Sequence, residues 1–289
     1  MESKLIVVTG GAGFIGSHLC EALAMQGHRV ISLDNYCMGS RDNHVAGVEY
    51  REGHTKDIAQ HISEKPDLIY HLGEYSRVAQ GLEEPGLVLD LNLAGTCGVL
   101  EFWRHQGCKL VYAGSSTKYA DPRADGIQGR NLSPYTWAKA VNTDLVENYA
   151  SWYKLPFATV SFSNVYGPRE RADAYGTVIE IFKQQTLKGE PLEVRLPGTQ
   201  TRNYTHIADT ISALLLVGEK GHGDGYTIAA DKSYPILEVA KLFGGKITML
   251  PARVTSRPSA ELDTTRMKEL GWSAQHTLED YIEEIKRNR

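Results

Sequence analysis

The eight residues Thr9-Gly10-Gly11-Ala12-Gly13-Phe14-Ile15-Gly16 constrain this chain more than any other stretch. They lie between Leu5–Val8, a short β-rich run, and Ser17–Gln26, which carries helical apolar spacing at Leu19, Leu23 and Ala24. A glycine-rich turn from strand into helix is the context of a dinucleotide fingerprint. Gly10 permits the tight turn, Gly13 lets a pyrophosphate approach the backbone, and Gly16 lets helix and strand pack closely. The N-terminus of the helix then offers free N–H groups and the positive end of its dipole to phosphate.

The residues that follow alternate in the same way. Gly27 stops the first helix and Arg29–Leu33 reads as the next strand. Asp67–Leu72, Lys109–Ala113 and Phe157–Phe162 read as further strands, with helices predicted over Asn92–His105 and Tyr135–Tyr153. Such alternation implies right-handed crossovers and an α/β fold with a doubly wound parallel sheet of the Rossmann type. Ligands of such sheets bind at the carboxyl ends of the strands. The second half is less regular, with helices predicted over Thr177–Lys188, Ile207–Glu219, Ile236–Leu242 and Leu278–Arg289, and strand and turn over Pro191–Arg202. The expected organisation is a dinucleotide-binding domain from residues 1–165 and 203–230 and a smaller C-terminal substrate-binding cap from 166–202 and 231–289.

Composition narrows the function. Apolar residues are 42% and charged residues 23% of 289, ordinary globular proportions that argue against wholesale disorder. The net charge of −4 argues against a broad surface for nucleic acid. No apolar run approaches the roughly 20 residues that span a bilayer. Met1 leads almost directly into Leu5–Val8 without a signal-peptide core, so the cytoplasm is the expected compartment. Neither Cys20, Cys37, Cys97 and Cys108 nor the ten histidines show metal-ligand spacing, and no metal is expected.

Two further signals carry chemistry. Asp34 closes the second strand, where a carboxylate can accept hydrogen bonds from adenosine ribose hydroxyls and repel a 2′-phosphate; its other reading is a turn residue. The cofactor is therefore expected to be NAD, with Arg41 solvated. Tyr135 and Lys139 stand four apart and share one helical face. A lysine ammonium there favours a phenolate that exchanges protons with a sugar hydroxyl. Ser115 lies just past a strand, 20 residues before Tyr135.

Fingerprint, serine and tyrosine–lysine pair, in this order, resemble the extended short-chain dehydrogenase/reductases. His71-Leu72-Gly73 looks like the family's H-L-A strand end, and Pro85, Asn92 and Gly95-Thr96 like its P…N…G-T segment. Ser163-Asn164-Val165-Tyr166-Gly167-Pro168-Arg169 looks like its N-V-Y-G-P-R stretch, and Gly198–Ile207 like G-x-x-x-R-D-[FY]-[IT]-H-V. Arg257-Pro258 and Leu270-Gly271-Trp272 match the terminal R-P…L-G-W. These marks are similar to those of the sugar-nucleotide epimerase/dehydratase branch, and of the UDP-glucose 4-epimerases within it.

The resemblance implies a set of roles. Ser115, Tyr135 and Lys139 would be catalytic. NAD would meet Gly10, Gly13, Phe14, Ile15, Gly16, Asp34, Asn35, His54, Thr55, Leu72, Gly73, Ser76, Asn92, Ala113, Tyr135, Lys139, Phe162 and Val165. A nucleotide sugar would meet Glu74, Ser115, Thr117, Asn164, Thr177, Arg202 and Arg257, the two arginines clamping its pyrophosphate. Surface charge is the other reading of each arginine, and a helix cap that of Asn92. The family's habit also implies a homodimer through the helices at 92–105 and 135–153.

Departures bear on the reaction. Sugar-nucleotide 4,6-dehydratases commonly carry an Asp-Glu pair after the strand-end hydroxyl residue, and the related decarboxylases a glutamate; Ser116 and Thr117 stand there instead. What remains is the minimum chemistry of an NAD-dependent 4-epimerase acting through a transient 4-keto sugar. The alternatives are a 4,6-dehydratase and a non-catalytic NAD-binding sensor, which usually loses the tyrosine–lysine pair. Glu74 stands where the family has Ala or Gly, either a substrate-facing acid or a solvated loop charge. Ser161, His54 and Thr177 also replace an arginine, an aspartate and an asparagine that the family often has.

Overall fold

Gly10, Gly27 and Gly107 all have positive φ and break the chain where a strand or helix must stop, so short elements follow one another closely. The computed structural model describes residues 2–78, 80–115, 129–173, 176–252 and 262–287. In chain order the strands are β1 (Leu5–Thr9), β2 (Arg29–Asp34), β3 (Val48–Glu52), β4 (Leu68–His71), β5 (Lys109–Ala113), β6 (Phe157–Phe162), β7 (Val165–Tyr166), β8 (Leu192–Arg195), β9 (Thr201–Asn203), β10 (Thr205–His206), β11 (Gly223–Ile228), β12 (Ser233–Pro235) and β13 (Ile247–Leu250). The helices are α1 (Phe14–Met25), α2 (Ile58–His61), α3 (Pro85–Leu89), α4 (Gly95–Gln106), α5 (Pro134–Tyr153), α6 (Val178–Lys188), α7 (Ile207–Lys220), α8 (Ile236–Phe243), α9 (Thr265–Glu269) and α10 (Leu278–Arg287).

Seven strands form one sheet in the order β11-β6-β5-β4-β1-β2-β3, and every pair in it is parallel. Parallel strands bury both faces, which is why Ile6, Val7 and Val8 are all buried in succession. Ile6, Val8 and Tyr70 pack with Leu19 and Leu23 of α1 and Leu214 and Val217 of α7. Val7, Ile31 and Ile69 point to the other face and meet Val99 and Trp103 of α4 and Val146 of α5. The doubly wound sheet expected from the sequence is the observed one.

Tyr166, Phe182, Val194, Val239 and Ile282 form a separate apolar cluster, built from chain that leaves the sheet after β6 and again after β11. The chain after β13 first leaves it, with Met267 and Trp272 buried in the core of the main sheet, and α10 then returns to it through Leu278, Ile282 and Ile285.

Three elements differ from the sequence reading. The helix before β5 starts earlier, at Pro85, and passes through a π turn over Asp90–Ala94 before continuing as α4. β3 and β11 had no clear apolar signal, and both are edge strands.

Gly16 sits in α1 directly against the β1–α1 turn, where a Cβ would overlap the Gly10 carbonyl oxygen. Gly16→Ala is expected to lower stability by about 1–3 kcal/mol through backbone displacement, read as a reduced midpoint in denaturant unfolding.

Candidate active site

The strand order reverses between β1 and β4. The helix after β1 goes to one face and that after β4 to the other, so a crevice opens at their carboxyl ends. The two strand ends nearly touch, since a Cβ on Gly10 would lie 2.8 Å from Gly73 Cα. From this point a cleft of about 540 Å³ runs along the strand ends.

The first wall of the cleft is the glycine turn. Gly10 has φ +74°, and Gly13 donates its N–H to the Gly10 carbonyl at 3.1 Å. Gly13 begins α1 with no side-chain cap and no acidic residue in the first turn, so the helix N–H groups are left for an anion. Asp34 is fixed at the end of β2, where its carboxylate accepts the N–H of Ala12 at 2.9 Å and of Tyr36 at 2.8 Å. Burial pushes its carboxyl up from the ordinary aspartate value, against the pull of those two N–H groups. Arg41 gives its guanidinium to Glu52 at 2.6 Å. An uncapped helix start and a rigid acceptor beside it fit the pyrophosphate and ribose of a dinucleotide.

The other end is built by α5. Ser133 caps it with a reciprocal pair, accepting from Thr136 N–H at 3.1 Å while Thr136 Oγ1 accepts from Ser133 N–H at 3.0 Å. Pro134 follows at the first helical position. This fixes Tyr135 in the first turn, packed on Tyr75, Val88 and Leu91, with Lys139 one turn further on. Both line the cleft. Ser115 is buried beyond Gly114, a lining residue.

Glu74 is at the centre of a buried network. Its side chain is 1% exposed and forms an ion pair with Lys139. Lys139 also donates to the Ala113 carbonyl. The other carboxylate oxygen accepts from Asn142 Nδ2 at 2.7 Å, Thr96 Oγ1 at 2.9 Å and Tyr112 OH at 3.2 Å. Burial opposes the charge, but the Lys139 ammonium, as charge and as donor, and the Thr96 hydroxyl outweigh it and hold the carboxyl below the ordinary glutamate value. Burial drives His71 down to about 4, so it is neutral. Gly73 N–H donates to Thr9 Oγ1, whose hydroxyl bonds His71 Nδ1 at 2.7 Å. His71 Nε2 then donates to Thr96 at 3.0 Å, an assignment of the imidazole proton set by this chain of donors. Glu74 is thus neither a solvated loop charge nor an acid left over for substrate.

The cleft gathers most of the residues expected at a cofactor, from Gly10 and Asn35 to Thr55, Leu72, Ser76, Ala113 and Phe162. Three lie off it. His54 bonds Asp90 at 3.1 Å and accepts the Lys56 N–H. Asn92, in the π turn, clamps both backbone groups of Tyr75, accepting at 2.7 Å and donating at 3.0 Å. Val165 is in the core beside β10. Among the expected substrate residues, Glu74 is one of the described residues lining the cleft and three others are not. Asn164 and Arg202 donate to the backbone oxygens of Asn203 and Thr201. Thr177 gives its N–H to Glu170 at 2.8 Å. Thr117 and Arg257 lie outside the described residues.

Sequence reasoning missed the cations of the cleft. Arg77, Arg169 and Arg171 all line it; Arg169 stood in the quoted N-V-Y-G-P-R stretch without a role. Asn142 was also missed, although it follows Lys139 by one helical turn. Among the described residues no group of three His, Cys, Asp or Glu is placed to hold a metal, and no helix is long and apolar enough to cross a membrane.

A doubly wound sheet with this turn and this tyrosine–lysine pair at its switch point defines a dinucleotide-dependent enzyme class. A model of the NAD dependent epimerase/dehydratase family matches residues 6–229, and the chain belongs to that family, whose cofactor is NAD. It is 28% identical to the putative UDP-glucose 4-epimerase of Methanocaldococcus jannaschii over 97% of each chain. It is 30% identical to UDP-glucuronic acid decarboxylase 4 of Arabidopsis thaliana, over 94% of this chain and 66% of that one. Among solved structures, the UDP-glucose 4-epimerase of Thermotoga maritima with UDP-glucose superposes with a TM-score of 0.90 at 28% identity, covering 98% of this chain and 99% of that one.

Glu170 offers a test of burial in this region. Its carboxyl is pushed up to about 7, chiefly by burial, and Oε2 has no hydrogen-bond partner. The folded state therefore holds this proton more tightly than the unfolded chain. The stability it contributes is full below about pH 4.5 and is lost as pH rises toward 7, by roughly 3 kcal/mol. Glu170→Gln keeps an acceptor for Thr177 N–H and has no charge to bury. The variant is expected to gain stability over the parent between pH 5 and pH 8, measured as the difference in thermal midpoints.

Proposed function

We propose that this enzyme is a sugar-nucleotide 4-epimerase that works through a transient ketone at C4 of the sugar. The observation that carries the reading is the state of the acids. Among the described residues the cleft is lined by two, Asp34 and Glu74. Asp34 is held by backbone N–H groups at the β2 end. Glu74 is taken up by Lys139, Thr96, Tyr112 and Asn142. Ser116 and Thr117 supply no carboxylate where dehydratases and decarboxylases are expected to have one. Among the described residues the cleft then has a base for a hydroxyl proton and no free acid for C5.

In this reading Tyr135 Oη takes the proton of the sugar 4-hydroxyl and returns it later in the cycle. Ser115 holds that hydroxyl. Lys139 orients the cofactor ribose. NAD, when bound to the Gly10–Gly16 turn and Asp34, supplies the acceptor and donor of hydride at C4. The nucleotide diphosphate is held by cationic side chains at the cleft, so that the hexose can present either face. We further propose a cytoplasmic homodimer through α4 and α5; Trp152 and Tyr153 of α5, 60% and 47% exposed, support such a contact.

The test is incubation with UDP-, dTDP-, CDP- and GDP-hexoses in heavy water, followed by mass and configuration of the products. Expected is an isomer of unchanged mass, inverted at C4 and without solvent label at C5. Tyr135→Phe should lower that turnover by about 10²–10⁴-fold with NAD binding intact. A product lighter by one water and labelled from solvent would make the enzyme a 4,6-dehydratase. No conversion, with NAD bound, would support the sensor.

A further inference from the structure

A carboxylate inside the cofactor end of this cleft changes its charge. Lys139 has three N–H donors. One goes to Glu74 and one to the Ala113 carbonyl, leaving one for the cleft. Glu74 cancels the lysine's charge at close range, and both side chains are nearly dehydrated, 1% and 5% exposed. The groups packed around them from β4, α4, β5 and α5 are His71, Thr96, Tyr112 and Asn142, all neutral partners. Arg77 lines the same cleft and makes no ion pair among the described residues. Its Nε is buried without a partner.

The nicotinamide ring is positively charged when oxidised and neutral when reduced. Where water is excluded, a fixed negative charge favours the oxidised form more than it could at a solvated surface. We propose that Glu74 is a positioning residue that pins Lys139 against Ala113 and sets the preference of the site for oxidised over reduced nicotinamide cofactor. The inference rests on the reading that Tyr135 and Lys139 mark the reacting end of the cleft. A site that favours the oxidised cofactor stays loaded for the next sugar and limits escape of the ketone as a dead end.

The test reads binding and needs no turnover. After removal of co-purified cofactor, the dissociation constants of NAD and NADH are measured by calorimetry for the parent, Glu74→Gln, Lys139→Met and the double variant, with thermal melting to show that each is folded. The ratio of the NADH constant to the NAD constant should fall about tenfold in Glu74→Gln and rise about tenfold in Lys139→Met. It should return to within about threefold of the parent in the double variant, which has no unpaired buried charge and so remains informative if a single variant unfolds. A ratio equal in all the folded variants, with both affinities weakened together, would mean a packing role and overturn the proposal. Absence of sugar turnover in the parent would sink the epimerase reading and leave this ratio untouched.

Discussion

The approach of Gly10 to Gly73 is the contact on which the site depends. β1 and β4 are hydrogen-bonded neighbours, yet their following helices leave for opposite faces of the sheet. The chain must turn at both strand ends within one small space. A Cβ on Gly73 would lie 3.0 Å from both Gly10 N and Thr9 Oγ1, so side chains at these positions would push the strand ends apart. Closing that gap brings Thr9 to Gly73 N–H and to His71. It also aims the residue after Gly73 under α5 and not into solvent.

That residue is Glu74, and its burial has to be offset by partners. A buried ion pair is not itself strong evidence of stability, but loss of one member leaves an uncompensated charge. Three surrounding elements answer this need with four residues: Thr96 from α4, Tyr112 from β5, and Asn142 and Lys139 from α5. The π turn serves the same end. Its extra backbone residue puts Asn92 where one amide can hold both the N–H and the carbonyl of Tyr75, and Asn142 in turn donates to the Asn92 carbonyl at 2.9 Å. Such local widening of a helix is common at functional sites. The loop that carries Glu74 is therefore fixed from both sides.

The sheet and its cofactor cradle were legible in the sequence because their signals are local. A strand, a glycine turn and a helix lie within 25 residues of the N-terminus, and the alternation that follows has few topologies available. β3 was not legible because Val48–Glu52 is an edge strand whose side chains are half-exposed, with charge at Glu49, Arg51 and Glu52. β11 begins Gly223-Asp224-Gly225, which reads as turn, and pairs with β6 only through a register shift. Side-chain partners were not legible either. His54, Asn164 and Arg202 sit in segments matched by motif, but each is bonded to nearby chain. Spacing fixes where a residue falls along the backbone; only the packed neighbours decide which way it points. Glu74 shows the same limit. The sequence marked it as a departure, and its four donors come from residues 22 to 68 positions away.

The substrate side follows a different logic from the cofactor side. The cofactor cradle is mostly backbone, N–H groups at a helix start fixed by the sheet, with the Asp34 carboxylate beside them and glycines where a Cβ would not fit. The cations that line the other part of the cleft are side chains on loops. Arg169, at φ +64°, is tied to Glu21 of α1 at 2.8 Å. Arg171 is tied to Asp173 and reaches the Met38 carbonyl. Arg77 has a buried Nε without a partner, and an unpaired donor inside a cleft is satisfied most directly by an acceptor on what binds there. Relatives of this chain include UDP-glucose 4-epimerases and decarboxylases alike, so the fold by itself does not choose the reaction; in this chain Glu74 is locked to Lys139 while Arg77 keeps a buried Nε without a partner.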